Sequence, residues 1–172
     1  SDPENFEDLS TLSRFLAPLL GTLLIGLIFT FIKPEFRDVG VPHVLERLNY
    51  HQGHFSLKNA ASQFIAAIIS LVSGQSAGRE GPAIHLGAAF SSLFGRRLGL
   101  PNNSIRILVG CGAAAAISAS FNTPIAGVIF AMEVIIMEYT IAGFTPVILA
   151  SVSAAVMSRM VYGADPAFEV PS

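Results

Sequence analysis

The sequence has few charged residues, a single cysteine and no tryptophan. Only 13% of its 172 residues are charged, whereas soluble domains typically have about 25%. The net charge is -2, and no basic cluster exceeds Arg96-Arg97, so nothing supports nucleic-acid binding. The lone Cys111 excludes an internal disulfide. A hydrophobic content of 52% and a mean hydropathy of +0.60 predict a multi-pass integral membrane protein.

The apolar residues fall into segments of uneven length. The first segment, residues 15–32, is long enough for a helix that crosses roughly 30 Å of bilayer hydrocarbon. A polar stretch follows and contains a short helical candidate at residues 42–48. The remaining apolar segments are residues 60–73, 82–94, 105–119, 124–137 and 144–162. Because several are too short to cross the bilayer upright, the sequence predicts an all-α membrane protein with tilted and interrupted helices.

Two charged residues lie between apolar segments in the run Gly78-Arg79-Glu80-Gly81-Pro82. Ionisable side chains within membrane segments are costly and commonly functional. Glycine allows the main chain to approach a ligand closely, and proline is favoured at the first position of a helix. The run therefore predicts a helix that begins at Pro82 inside the membrane, with free amides facing an anion and a carboxylate beside them.

This run resembles the most diagnostic motif of the CLC family, the chloride channels and proton-coupled chloride exchangers. The sequence FNTPIAG at residues 121–127 is similar to a family turn between two helices, and Gly40-Val41-Pro42 resembles the end of a family loop. The three motifs have the order and spacing of the family. The resemblance implies that residues 1–172 are the first half of the inverted-repeat membrane domain, without its opening helices. It also implies a homodimer with one anion pathway per subunit.

In the family, main-chain amides at helix N-termini coordinate the anion, in keeping with the partial positive charge there. The resemblance therefore implies an outer backbone site at Gly78, Arg79, Glu80 and Gly81, and an inner one at Gly40 and Val41. It assigns Glu80 as the gating glutamate: the ionised side chain occupies the anion site, and the protonated side chain leaves it. The residues alone leave another role open, in which Glu80 caps the helix or pairs with Arg79.

Two positions depart from the family pattern. Val39 stands where the family has a serine whose hydroxyl contacts the anion, so the inner site would have main-chain amides alone. In the pair Glu133-Val134, valine stands where exchangers have an inner, proton-passing glutamate. Since valine cannot bind a proton, we expect passive, voltage- or pH-gated conduction of chloride or similar small anions. The alternative is a proton-coupled exchanger that uses Glu133 or another route.

Enzymatic chemistry has less support in the sequence. No serine or cysteine is flanked by a recognisable base, and the histidines of the polar stretch do not have the spacing of three or four converging metal ligands. A membrane-embedded metalloenzyme built on Glu80, His85 and Glu133 is the remote alternative. We expect no enzyme activity, metal or cofactor, and we expect His85 to be a hydrogen-bonded packing residue.

Overall fold

A computed structural model describes residues 11–75, 78–137 and 140–163, and these residues form helices joined by short turns, without any strand. The α-helices are α1 (Thr11–Phe31), α2 (Gly40–Tyr50), α3 (Leu57–Val72), α4 (Glu80–Arg97), α5 (Asn102–Phe121), α6 (Pro124–Phe130) and α7 (Ile141–Tyr162). One turn of 3₁₀-helix, Pro34–Phe36, precedes α2. A π-helical segment, Ala131–Ile136, continues α6. The predicted all-α fold class is confirmed.

Most helices begin earlier than the apolar pattern predicts. The helix α3 begins at Leu57 and α5 at Asn102, because polar residues can occupy a first helical turn without extending an apolar run. The helix α4 begins at Glu80, so the prediction that it begins at Pro82 is wrong. Pro82 instead lies within the first turn, where a main-chain N–H has no intrahelical acceptor and its loss costs nothing.

Three of the described helices are long and apolar enough to cross a membrane. They are Leu12–Phe31, Asn102–Phe121 and Ile141–Tyr162. Two further apolar helices, Leu57–Val72 and Pro124–Ile136, are shorter. The chain is therefore an integral membrane protein with several spans, and its helices have the unequal lengths that the sequence predicts.

The centre of the fold is α5, which packs against α4 on one side and α7 on the other. At the first contact, a Cβ added to Gly87 or to Gly112 would overlap the carbonyl oxygen of the other. Such small residues allow helix backbones to touch, as is common between membrane helices. At the second contact, Ser118 Oγ donates a buried hydrogen bond to the carbonyl of Ser151 at 2.7 Å. Close backbone contact thus holds α4 against α5, and a buried hydrogen bond holds α7 against α5.

The turn between α5 and α6 has the conformation expected of an asparagine–proline turn between helices. Asn122 ends α5 in the left-handed region, with φ of 55°, which asparagine tolerates better than most residues. Pro124 begins α6, where its fixed φ suits a first helical turn. Arg159 Nε of α7 donates to Asn122 Oδ1 at 2.6 Å. The turn is therefore attached to the third spanning helix.

Candidate functional site

Two helix N-termini that are far apart in the sequence meet in the structure. The helix α2 begins at Gly40 and α4 begins at Glu80. A Cβ placed on Gly81 would lie 3.9 Å from the Cα atom of Gly40, so little more than a methyl group separates the two main chains. Gly40 has a φ of +77°, which glycine adopts without steric cost. Glycines at both positions therefore allow the two helix ends to approach each other.

The junction of α2 and α4 concentrates partial positive charge. The first four N–H groups of an α-helix have no intrahelical acceptor, and its aligned peptide dipoles amount to about half an elementary charge at the N-terminus. The N-cap residues Val39 and Arg79 make no side-chain capping hydrogen bond to their helices. Both helix ends therefore present main-chain donors of the kind that bind anions.

The Glu80 carboxylate lies against the segment that leads into α4. Its side chain is half-buried, and a Cβ added to Gly78 would overlap Glu80 Oε2. Glycine at position 78 thus leaves the space that the carboxylate occupies. Because Glu80 is the first residue of α4, its negative charge is next to the unsatisfied N–H groups of that helix. A carboxylate in this position can compete with a small anion for the same donors.

The residues predicted for the inner site lie at the start of α2. Val41 packs against the hydrophobic core, whereas Val39 is in extended backbone and 41% exposed. Neither valine has a polar side-chain atom. The donors on this side of the junction are therefore main-chain N–H groups.

A buried polar group beside the junction is absent from the sequence-based predictions. Asn59 of α3 has no exposed surface, and its Nδ2 donates to the carbonyl oxygens of Phe36 and Asp38 at 3.2 and 2.7 Å. Asn59 Oδ1 lies 2.8 Å from Nε2 of His85, which confirms His85 as a hydrogen-bonded packing residue. The one signal for Asn59 in the sequence is an amide in the first turn of an apolar helix, and a solvated asparagine gives the same signal.

A group with metal-ligand spacing occurs among the described residues, although the sequence predicts none. One potential ligand atom from each of Asp38, His43 and Glu46 lies within 4.8 Å of the others, and His43 Nδ1 is 3.5 Å from Glu46 Oε2. However, Arg47 Nε donates to His43 Nε2 at 3.3 Å, which leaves the ring proton on Nδ1, the atom that faces the carboxylate. To bind a metal through Nδ1, His43 would need its proton on Nε2, where it would donate rather than accept a hydrogen bond. This group does not suit a cation.

The residues predicted for an inner proton route lie on the π-helical segment. Glu133 is exposed and borders an apolar cavity of about 370 Å³ between α6 and α7. Val134 is partly buried and packs against the hydrophobic core. Within the described part of the chain, Glu80, His85 and Glu133 form no group with metal-ligand spacing. The metalloenzyme alternative therefore lacks the ligand set on which it depends.

Taken together, the fold and the junction define a helical, multi-pass membrane protein in which two helix N-termini meet beside a carboxylate. Comparison with known families agrees with this class: residues 21–172 match the family model described as voltage gated chloride channel. The chain belongs to this family, the CLC family that its motifs resemble.

Three bacterial proteins are among the relatives that the chain matches. The chain is 32% identical over 163 residues to a chloride channel protein described as ClcB-like from Ralstonia nicotianae, covering 92% of the chain and 38% of the relative. It is 30% identical over 152 residues to the voltage-gated ClC-type chloride channel ClcB of Yersinia pseudotuberculosis, covering 87% of the chain and 36% of the relative. The Escherichia coli protein of the same name is 31% identical over 164 residues, with 92% and 38% covered. The chain thus spans less than two fifths of the length of these relatives.

Proposed function

We propose that residues 1–172 are the first half of a CLC membrane domain and form one side of a pathway for chloride or similar small anions. The observation that supports this most directly is the approach of Gly81 to Gly40, 3.9 Å from an added Cβ to Cα. It brings the N-termini of α2 and α4 to one place. An anion there would exchange its hydration for main-chain donors from both helices.

In this mechanism, Glu80 is the gate. The outer donors are the amides of Gly78, Arg79, Glu80 and Gly81, and the inner donors are those of Gly40 and Val41. The ionised Glu80 carboxylate interacts favourably with the N-terminus of α4 and blocks the anion. A protonated carboxyl loses this attraction, so that it leaves the donors to chloride. Lower pH therefore opens the pathway.

The test of the gate is chloride efflux from liposomes that contain the full polypeptide. Glu80→Gln removes the charge at nearly constant volume, so we expect faster efflux at neutral pH and the loss of its pH dependence. Glu35→Gln is the matched control, since Glu35 is an exposed carboxylate in the 3₁₀ turn before α2. Absence of chloride efflux in the wild type, or unchanged pH dependence in Glu80→Gln, contradicts the proposal.

We further propose that conduction is passive. Val134 has no group that binds a proton, so the chain lacks the inner glutamate that the exchanger mechanism of the family uses. A passive channel has a reversal potential set by the chloride gradient alone. A shift of that potential when the pH differs across the membrane would instead favour the alternative, a proton-coupled exchanger with Glu133 or another group on the proton route.

We also propose a homodimer in which α6 and α7 face the partner subunit. Large apolar side chains on both helices are exposed in the single chain, among them Ile125 at 76% and Leu149 at 63%. Contact with a second copy would cover them. Chemical cross-linking of the full polypeptide in liposomes, at high dilution of protein in lipid, should trap dimers; monomers alone would contradict this part of the proposal.

A further inference from the structure

Asn59 joins three segments of the chain through one buried carboxamide. Its Nδ2 donates to the carbonyls of Phe36 and Asp38, at 3.2 and 2.7 Å, in the segment before α2. Its Oδ1 faces His85 Nε2 of α4 at 2.8 Å. Two carbonyl acceptors on one side require the amide nitrogen there, so the oxygen must face His85. His85 Nε2 consequently has the proton and donates it to Asn59.

The two hydrogen bonds from Asn59 orient the main chain at the entrance to α2. In a planar trans peptide, the N–H of one residue points opposite to the carbonyl of the residue before it. Because Asn59 holds the Asp38 carbonyl, the N–H of Val39 is directed away from Asn59. Gly40 follows immediately and begins α2 with a φ of +77°. Asn59 therefore determines the direction in which the chain enters this helix.

His85 makes the corresponding attachment for α4. It is fully buried. Its ring stacks on that of His43 in α2, with centroids 5.2 Å apart and planes inclined by 10°. Phe55 packs edge-on against the His85 ring, with centroids 5.6 Å apart. The ring thus connects α4 to α2 directly, and to α3 through Asn59.

From these contacts we infer that Asn59 and His85 are positioning residues that set the separation and direction of the N-termini of α2 and α4. This inference rests on the proposed anion pathway at that junction. Neither side chain needs to touch the anion. Binding groups must be held within about 0.5 Å of their productive geometry to be effective. In this chain the buried side chains of Asn59 and His85 hold the main-chain donors in place. Anion affinity and selectivity depend on the pair.

The experiment compares four variants of the full polypeptide. Asn59→Leu and His85→Leu remove the hydrogen bonds at similar volume. His85→Gln is the conservative variant, since its side-chain amide N–H extends as far from the backbone as Nε2 and can donate to Asn59. Gln63→Leu is the matched control, because it removes another buried carboxamide from α3, one whose Oε1 has no protein partner. The readouts are chloride affinity by calorimetry and the chloride-to-nitrate permeability ratio.

We expect Asn59→Leu and His85→Leu to bind chloride about tenfold more weakly, because a displaced helix N-terminus loses one main-chain hydrogen bond to the anion. Both variants should also discriminate less between chloride and nitrate. His85→Gln and Gln63→Leu should retain wild-type values. A merely structural role would lower the melting temperature without changing the permeability ratio.

Wild-type affinity and permeability ratio in folded Asn59→Leu and His85→Leu would overturn the inference. So would failure of both variants to fold while Gln63→Leu folds, because the pair would then support the whole fold rather than the junction. These results are distinct from failure of the proposed function. In that case the wild type itself would bind and conduct no chloride, or Glu80→Gln would leave the pH dependence unchanged.

Discussion

The substitution Gly81→Ala tests anion binding at the junction of α2 and α4 without disturbing how the two helices pack. The added methyl group would lie 3.9 Å from the Cα atom of Gly40, at ordinary van der Waals distance, so no neighbour has to move. It would nevertheless crowd the edge of the junction, where we propose that the anion contacts main-chain N–H groups. A hydrogen bond to a charged partner contributes about 1.5–3 kcal/mol. The loss of one such contact would weaken anion binding about 10- to 150-fold.

The assay pairs thermal melting in detergent with chloride efflux from liposomes. Gly81 lies in the first turn of α4 and does not have a positive φ, so the melting temperature of Gly81→Ala should equal that of the wild type, while efflux falls. Gly26→Ala is the control: a Cβ there has no atom within 4 Å, and it should leave efflux unchanged. Wild-type efflux from folded Gly81→Ala would refute the placement of the pathway beside the two glycines.

Three further substitutions test the framework that holds the junction, all by thermal melting. Gly40→Ala should lower stability by about 1–2 kcal/mol, because its φ of +77° is left-handed; an unchanged melting temperature would contradict that conformation. Gly87→Ala should cost about 1–3 kcal/mol, since its Cβ would overlap a carbonyl of α5; full stability would contradict the close contact of α4 with α5. Ser151→Ala removes the hydrogen bond to the carbonyl of Pro124 at 2.7 Å, worth about 1 kcal/mol. The exposed Ser153→Ala is its control, and equal melting of the two variants would contradict the assignment.

Local features of the fold could be predicted from the sequence because their causes are local. The apolar runs predict helices and their unequal lengths, since the hydrophobicity and length of each run are set by its own residues. The asparagine–proline turn is likewise a property of adjacent residues: Asn122 accepts a left-handed conformation and Pro124 begins a helix. Helix starts were less predictable, because a first turn with polar residues, as at Asn102, does not extend the apolar pattern.

The candidate site was predictable only in part. The motif around Glu80 indicates a helix start with a carboxylate, and the loop at Gly40 indicates another. The contact between these two helix N-termini is a long-range interaction. It is determined by the packing of α4 against α5 and by the contacts of α2 and α3. The role of Asn59 depends on three partners from two other segments, and none of these pairings has a signature in a single sequence. The proximity of His43 to Glu46 is local by contrast, because the two residues are one turn apart on α2.

We propose that an anion binds where the N-termini of α2 and α4 meet and that the Glu80 carboxylate competes for its place. The most direct measurement is anomalous diffraction from crystals of the full polypeptide grown in bromide. We expect bromide density within hydrogen-bonding distance of main-chain N–H groups at this junction, and additional or stronger density there in Glu80→Gln. Bromide bound elsewhere, with none beside Gly40 and Gly81 in either protein, would contradict it.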